Sequence, residues 1–234
     1  MWNKRTRSFV KLKNDLGGNR LVRRLIIIAS LLLLTGCGTS PEKAMYELME
    51  EAVMTEEVFA KQQQSIVDAE KKEFMLFEEM IALNISEKDK IRALSNEALS
   101  VVELRKELIE QEHKSIKAGY EQFQKVALEI EKLKNKEAQA LASNIMEAMD
   151  QRFATYQQLK VAYEYSLTLD EALYKMFQED DVTLATLQGK IDEINESYLK
   201  VKELKEQFND QTRTFNQLKR DFYQLANLNI AYNE

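Results

Sequence analysis

Turn formers are almost missing from this chain: its 234 residues include six Gly and a single Pro, Pro41, where average usage is roughly 7% Gly and 5% Pro. Only Gly119 and Gly189 lie beyond residue 40. That scarcity argues against a sheet-rich fold, whose hairpins need such residues, and against a Gly-rich phosphate loop. A lone cysteine, Cys37, excludes an internal disulfide and a multi-thiolate metal centre. The lone histidine, His113, leaves little room for histidine-based catalysis. Glu110-Gln111-Glu112-His113 contains a Glu-x-x-His, but a di-iron bundle needs that motif twice and there is no second His. Neither H-E-x-x-H nor G-x-S-x-G occurs. The abundant acids read as solvated helix faces paired with Lys rather than as a glycosidase pair. We therefore expect no enzyme, no metal site and a packing or surface role for His113.

The first forty residues read as an address. Residues 1–24 carry eight basic side chains against one acid, Asp15, and an apolar run follows from Leu25 to Gly36. Twelve residues rise about 18 Å as a helix, short of a hydrocarbon core of roughly 30 Å, so the run reads as a secretory signal rather than a span. Leu34-Thr35-Gly36-Cys37 resembles the bacterial lipobox. By that resemblance residues 1–36 are removed, with Leu34, Thr35 and Gly36 read by the signal peptidase. Cys37 then becomes the new N-terminus, carrying a diacylglycerol thioether and an N-acyl chain such as palmitate. Two or more acyl chains hold a protein stably on a bilayer, and beyond that lipid no cofactor is expected. The basic leader is long, and Leu21–Cys37 is a compact signal by itself. Gly17-Gly18 can be encoded by a ribosome-binding sequence, so residues 1–20 are expected to be untranslated. Silent recoding of the Leu21 and Val22 codons tests this, and unchanged expression refutes it.

Removing residues 1–36 leaves 25 Lys plus Arg against 38 Asp plus Glu, a net charge of −13 instead of the −6 of the whole chain. Nucleic acid is excluded as a partner, because phosphate binding needs a basic face, and an anionic polymer such as teichoic acid is repelled on average.

After a short tether over residues 37–41, residues 42–234 read as one helical domain. Ser40 suits an N-cap, Pro41 the first helical position and Glu42 the positive helix end. Apolar residues recur three and four apart in four stretches. The first runs from Met45 to Ile81 and the second from Ile91 to Leu133; the third spans Ala138 to Phe177 and the fourth Leu184 to Leu225. Reversals are expected at Asn84-Ile85-Ser86, with Ser86 as a cap, at Lys134-Asn135-Lys136, and at Glu179-Asp180-Asp181, with Thr183 capping the last helix. The expected fold is all-α, an elongated antiparallel up-down four-helix bundle with coiled-coil-like packing. Without the Asn135 turn the second and third helices merge into a three-segment rod.

With Cys37 at the membrane, such a bundle brings the Asn135 turn to the same end. Lys132, Lys134 and Lys136 then become candidates for membrane-surface contact, at on the order of 1 kcal/mol each, against the plainer reading of solvated loop lysines. The third helix is rich in aromatics, most of them on its buried stripe; Tyr165 and Tyr174 lie at its margin and are the candidate ligand contacts.

The lipobox followed by Ser40-Pro41-Glu42-Lys43, the segment LSNEALSVVELRKELIEQEHKSI and the later LDEALYKMFQEDDVTLATLQGKIDEINESY resemble the YkyA-type lipoproteins of Firmicutes. The resemblance covers essentially all of the chain after Cys37. It implies an all-helical, lipid-anchored protein on the extracytoplasmic face of a Gram-positive membrane, with cell-wall (peptidoglycan) binding or membrane–wall spacing as its role. A helical module docking a membrane or secreted protein is the alternative. Only Cys37 is carried over from the family residue by residue.

Overall fold

The computed structural model describes residues 39–84 and 86–228, and Leu34, Thr35, Gly36 and Cys37 lie outside them. Among the described residues the regular structure is entirely helical. It runs α1 (Pro41–Thr55), α2 (Glu57–Ala82), α3 (Lys88–Phe123), a 3₁₀ turn (Gln124–Val126), α4 (Ala127–Ile130), α5 (Lys136–Met176) and α6 (Leu184–Leu225). With 41 and 42 residues, α5 and α6 each extend about 62 Å.

Two of the expected caps are made, at Ser40 and Thr183, and at the expected Lys134-Asn135-Lys136 turn Asn135 serves as a third. Ser40 Oγ accepts from the Lys43 amide at 3.3 Å, Asn135 Oδ1 from Glu137 and Ala138 at 2.8 and 3.3 Å, and Thr183 Oγ1 from Thr186 at 3.2 Å. The Asn135 turn therefore separates the second stretch from the third. Ser86 is different: its amide and hydroxyl both bond Asn84 Oδ1, and α3 begins at Lys88 without a side-chain cap. Asn84 Oδ1 is thus the group that organises this reversal.

The first stretch is not one helix. In an uninterrupted helix the Phe59 amide would bond the Thr55 carbonyl. Here Ser115 of α3 stands between them, donating to Thr55 O at 2.9 Å and accepting from Phe59 N at 3.3 Å. A side chain inserted into the backbone ladder breaks a helix, and α1 ends at Thr55. Gly119, one turn along α3, permits the approach. A Cβ there would lie 2.5 Å from Glu56 Cγ and 3.1 Å from the Ala52 carbonyl oxygen.

Side-chain pairs fix which helices are neighbours. Along α1 and α2 against α3, Glu51 meets Gln122, Gln62 meets Gln111 and Lys72 meets Glu97. Along α3 against α5, Ser95 meets Tyr174 and Tyr120 meets Asp150, and along α5 against α6, Arg152 meets Thr212 and Ser166 meets Ser197. Glu50 of α1 receives Lys219 and Tyr223 of α6 at 2.9 Å each.

The core is segmented along the length. Met45, Phe123, Ile145 and Phe222 form one cluster, Ile116, Tyr156 and Phe208 a second, and Met80, Val102 and Leu167 a third. Ile81, which ends the first apolar stripe, and Leu104, within the second, are exposed. Next to Leu104 the stripe of α3 takes in Arg105 instead.

Candidate functional site

Between α5 and α6 the small side chains of Ala154, Ala162 and Ser197 leave an open groove of about 890 Å³, floored by Leu204. Val161 and Tyr165 line it and remain 67% and 53% exposed. Gln157, Gln158, Glu196 and Lys200 add amide, carboxylate and ammonium groups. The Tyr165 hydroxyl donates to Glu193 Oε1 at 3.3 Å, while Lys190 donates to Oε2 at 2.5 Å. The Lys190 bond holds the Glu193 carboxyl below its ordinary range, so it stays an ionised acceptor. An aromatic face flanked by amides and carboxylates suits a polar, neutral ligand that offers hydroxyl or amide donors.

A polar centre is buried inside the helices. Arg105, charged at any pH of interest, donates to Glu73 at 2.6 Å and to Asp170 at 3.2 Å. Its Nε and second terminal nitrogen reach Tyr163 Oη at 3.0 and 2.8 Å, and that second nitrogen reaches Tyr198 Oη at 2.7 Å. Each tyrosine passes its own proton onward, Tyr163 to Glu70 at 2.8 Å and Tyr198 to Asp170. Burial pushes both phenols well above their ordinary range. Burial, followed by the neighbouring Glu73, raises Asp170 to about 6 against the pull of Tyr198 and Arg105.

A second buried arginine, Arg152, forms two parallel bonds to Glu56, at 2.8 and 2.6 Å, the strong bidentate geometry of guanidinium on carboxylate. Its Nε donates to Thr212 at 3.0 Å, and its guanidinium carbon lies 4.8 Å from the Phe208 ring centre. Glu56 is the residue at the break between α1 and α2, so the interruption made by Ser115 falls where this carboxylate enters the core. Glu112 is buried too, bonded by Gln63 Nε2. Burial raises it to about 7, opposed by Tyr156, Lys205 and Gln63. The Tyr156 hydroxyl beside it makes no hydrogen bond of ordinary geometry. Apart from the Tyr156 hydroxyl these donors and acceptors bond one another inside the core, so the clusters fix how the helices pack.

The residues singled out in the sequence separate here. Tyr165 lines the groove. Tyr174, expected at the surface, is 4% exposed and donates to Glu73 at 3.1 Å; its hydroxyl serves the Arg105 cluster and it does not line the groove. Lys132, Lys134 and Lys136 are all exposed around the Asn135 turn, with Lys132 paired to Glu129 at 2.8 Å. His113 stacks on Tyr156, with ring centres 6.0 Å apart. Burial and the nearby Lys160 hold its pKa below the ordinary value, as befits a packing histidine. Among the described residues no three His, Cys, Asp or Glu side chains are placed to hold a metal. Helical periodicity does not single out the buried arginines, although each sits inside an apolar stripe, Arg105 between Val101 and Leu108 and Arg152 between Met149 and Tyr156. A charge at such a position was the available signal.

The class defined here is an all-helical protein with a polar-centred core and a solvent-open groove between its two longest helices. The chain belongs to the YkyA lipoprotein family, whose model, described as "Putative cell-wall binding lipoprotein", matches residues 40–225. It is similar to the Bacillus subtilis (strain 168) protein described as "Uncharacterized lipoprotein YkyA", with 31% identity over 203 residues that span 86% of this chain and 91% of that one. The crystal structure of a conserved Staphylococcus aureus protein of unknown function matches with a TM-score of 0.65 over 81% of this chain and 98% of that chain. At 14% identity this is a likeness of fold alone. No helix among the described residues is long and apolar enough to cross a membrane.

Proposed function

We propose that this is a non-enzymatic, extracytoplasmic lipoprotein of a Gram-positive cell that binds peptidoglycan through the groove between α5 and α6. The observation that carries the reading is the groove itself. It sets an exposed tyrosine face beside amide and carboxylate acceptors in a cavity of about 890 Å³, large enough for a short glycan segment. The family description points the same way. The net charge of −13 after residue 36 disfavours anionic wall polymers and leaves the peptidoglycan glycan as the better ligand.

In this reading the signal over residues 1–36 is removed and Cys37 carries the lipid, so no spanning helix is required. The four long segments 41–82, 88–130, 136–176 and 184–225 form an antiparallel up-down bundle. Support for this comes from the side-chain pairs, whose residue numbers rise along one segment as they fall along its neighbour: Glu51 with Gln122 and then Lys72 with Glu97, Tyr120 with Asp150 and then Ser95 with Tyr174. Lys132, Lys134 and Lys136 then sit at the anchored end, where anionic headgroups attract them.

The test is co-sedimentation of the full-length protein, solubilised in detergent, with purified sacculi, with and without teichoic acid and across a salt series. Saturable binding to teichoic-acid-free sacculi, weakened several-fold by Tyr165→Ala, is the expected result. Sedimentation no greater than that of an unrelated helical protein refutes the wall reading. Protein docking, the second reading, is favoured by Phe74 and Met75, both 61% exposed on α2.

A further inference from the structure

The outer face of α2 carries Val67, Phe74 and Ile81, seven residues apart and all exposed, with Met75 beside Phe74. Seven-residue spacing keeps these side chains on one line of a helix. Lys71 and Glu78 alternate with them along the same face and make no ion pair among the described residues. Asp68, Lys71, Lys72 and Met75 border a shallow depression of about 280 Å³ next to the line. Residues spaced i, i+3, i+4 and i+7 form the hole that receives a side-chain knob from a facing helix.

We propose that this face docks a second copy of the chain, α2 against α2, in an antiparallel pair about a two-fold axis passing between Phe74 and Met75. The face is its own complement under that operation. Val67 and Ile81 lie about seven residues to either side of the axis, so each comes within one residue of facing the other in the second copy. Lys71 and Glu78 stand equally far from the axis, so each Lys71 meets Glu78 of the second copy. A two-fold interface requires this reciprocity, residue i meeting j and j meeting i. Under that axis Phe74 packs against Met75 of the second copy, and Glu78 faces the Asp68–Met75 depression beside Lys71 and Lys72. A parallel pair would instead set Lys71 against Lys71 and Glu78 against Glu78, and like charges across a helix pair are destabilising. The antiparallel pair sends the two Ser40 ends to opposite ends of the assembly, so copies held on one membrane meet lying along its surface.

The test uses the full-length chain in intact cells under a mild thiol oxidant. Met75→Cys, next to the axis and leaving Phe74 in place, gives a band of twice the mass. Leu199→Cys, an exposed position on α6, gives none. Added to Met75→Cys, Lys71→Glu or Glu78→Lys alone weakens association about tenfold by turning two attractive contacts repulsive, and the double reversal restores the band. Val67→Cys alone does not cross-link, whereas Val67→Cys co-expressed with Ile81→Cys does. Absence of the Met75→Cys band, or double reversal without recovery, overturns the pairing. A Val67→Cys band as strong as that of Met75→Cys overturns its antiparallel sense.

Discussion

Glu112 supplies the most direct quantitative test of the buried polar core. The residue is 4% exposed, and its carboxyl is raised from the ordinary 4.5 to about 7, first by burial. An acid whose folded pKa lies above its unfolded one binds protons more readily when folded. Stability therefore falls as pH rises between the two values, and the loss is complete above the folded one. The span of 4.5 to about 7 corresponds to roughly 3 kcal/mol, at about 1.36 kcal/mol per pH unit. Glu112→Gln removes the titrating group, while its amide oxygen can still accept from Gln63 Nε2, the bond the carboxylate receives. The variant is expected to match the wild type near pH 4.5 and to exceed it by roughly 3 kcal/mol at pH 8, or about 6–12 °C in Tm for a domain of this size. Asp170 also titrates in this range, toward about 6, but it is present in both proteins and cancels in the difference. Circular dichroism melts of both proteins at half-unit pH steps from 4.5 to 8.5 give the comparison directly. A gap that does not widen with pH, or a variant less stable at pH 8, refutes the reasoning.

Arg105→Met strands Glu73 and Asp170 together in the core and is expected to cost about 3–5 kcal/mol by urea denaturation. Adding Glu73→Gln and Asp170→Asn removes the uncompensated charge and recovers most of that loss. Gly119→Ala places a methyl 2.5 Å from Glu56 Cγ and 3.1 Å from the Ala52 carbonyl. It should lose about 1–3 kcal/mol despite the better helix propensity of Ala, measured by thermal melting. Ser115→Ala removes the hydroxyl held between Thr55 and Phe59 and should cost about 1 kcal/mol. Backbone chemical shifts across residues 53–60 should become more helical, and unchanged shifts there would show that Ser115 does not cause the break.

Local chemistry was legible in the sequence, and chemistry that depends on distant residues was not. Ser40 and Thr183 cap the helices that follow them because a cap is decided within three or four residues, and Asn135 does so at an expected turn, whereas Ser86 is held by Asn84 Oδ1 and caps nothing. The interruption after Thr55 is caused by Ser115, 60 residues on, and nothing near Thr55 in the sequence announces it. Tyr165 and Tyr174 looked alike at the edge of an apolar stripe. Glu73, 101 residues from Tyr174, draws one into the core, while the other is left facing the groove. Arg105 and Arg152 occupy apolar-stripe positions, but their carboxylate partners Glu73 and Glu56 lie on other helices, so pattern alone could not pair them. The groove depends on small side chains from α5 and α6 meeting at one level, a match of register between two helices that neither helix reveals alone.

The interruption after Thr55 also separates two kinds of opening motion. Most amides of α2 bond within their own helix and exchange with solvent when that helix frays. The Phe59 amide bonds the Ser115 hydroxyl of α3 instead, so its protection follows the docking of α3 against the α1–α2 junction. In a hydrogen-exchange experiment the Phe59 amide hydrogen should share the opening free energy of the α3 contact, not that of its sequence neighbours. A single resolved amide would then act as a clock for when the long segments come apart.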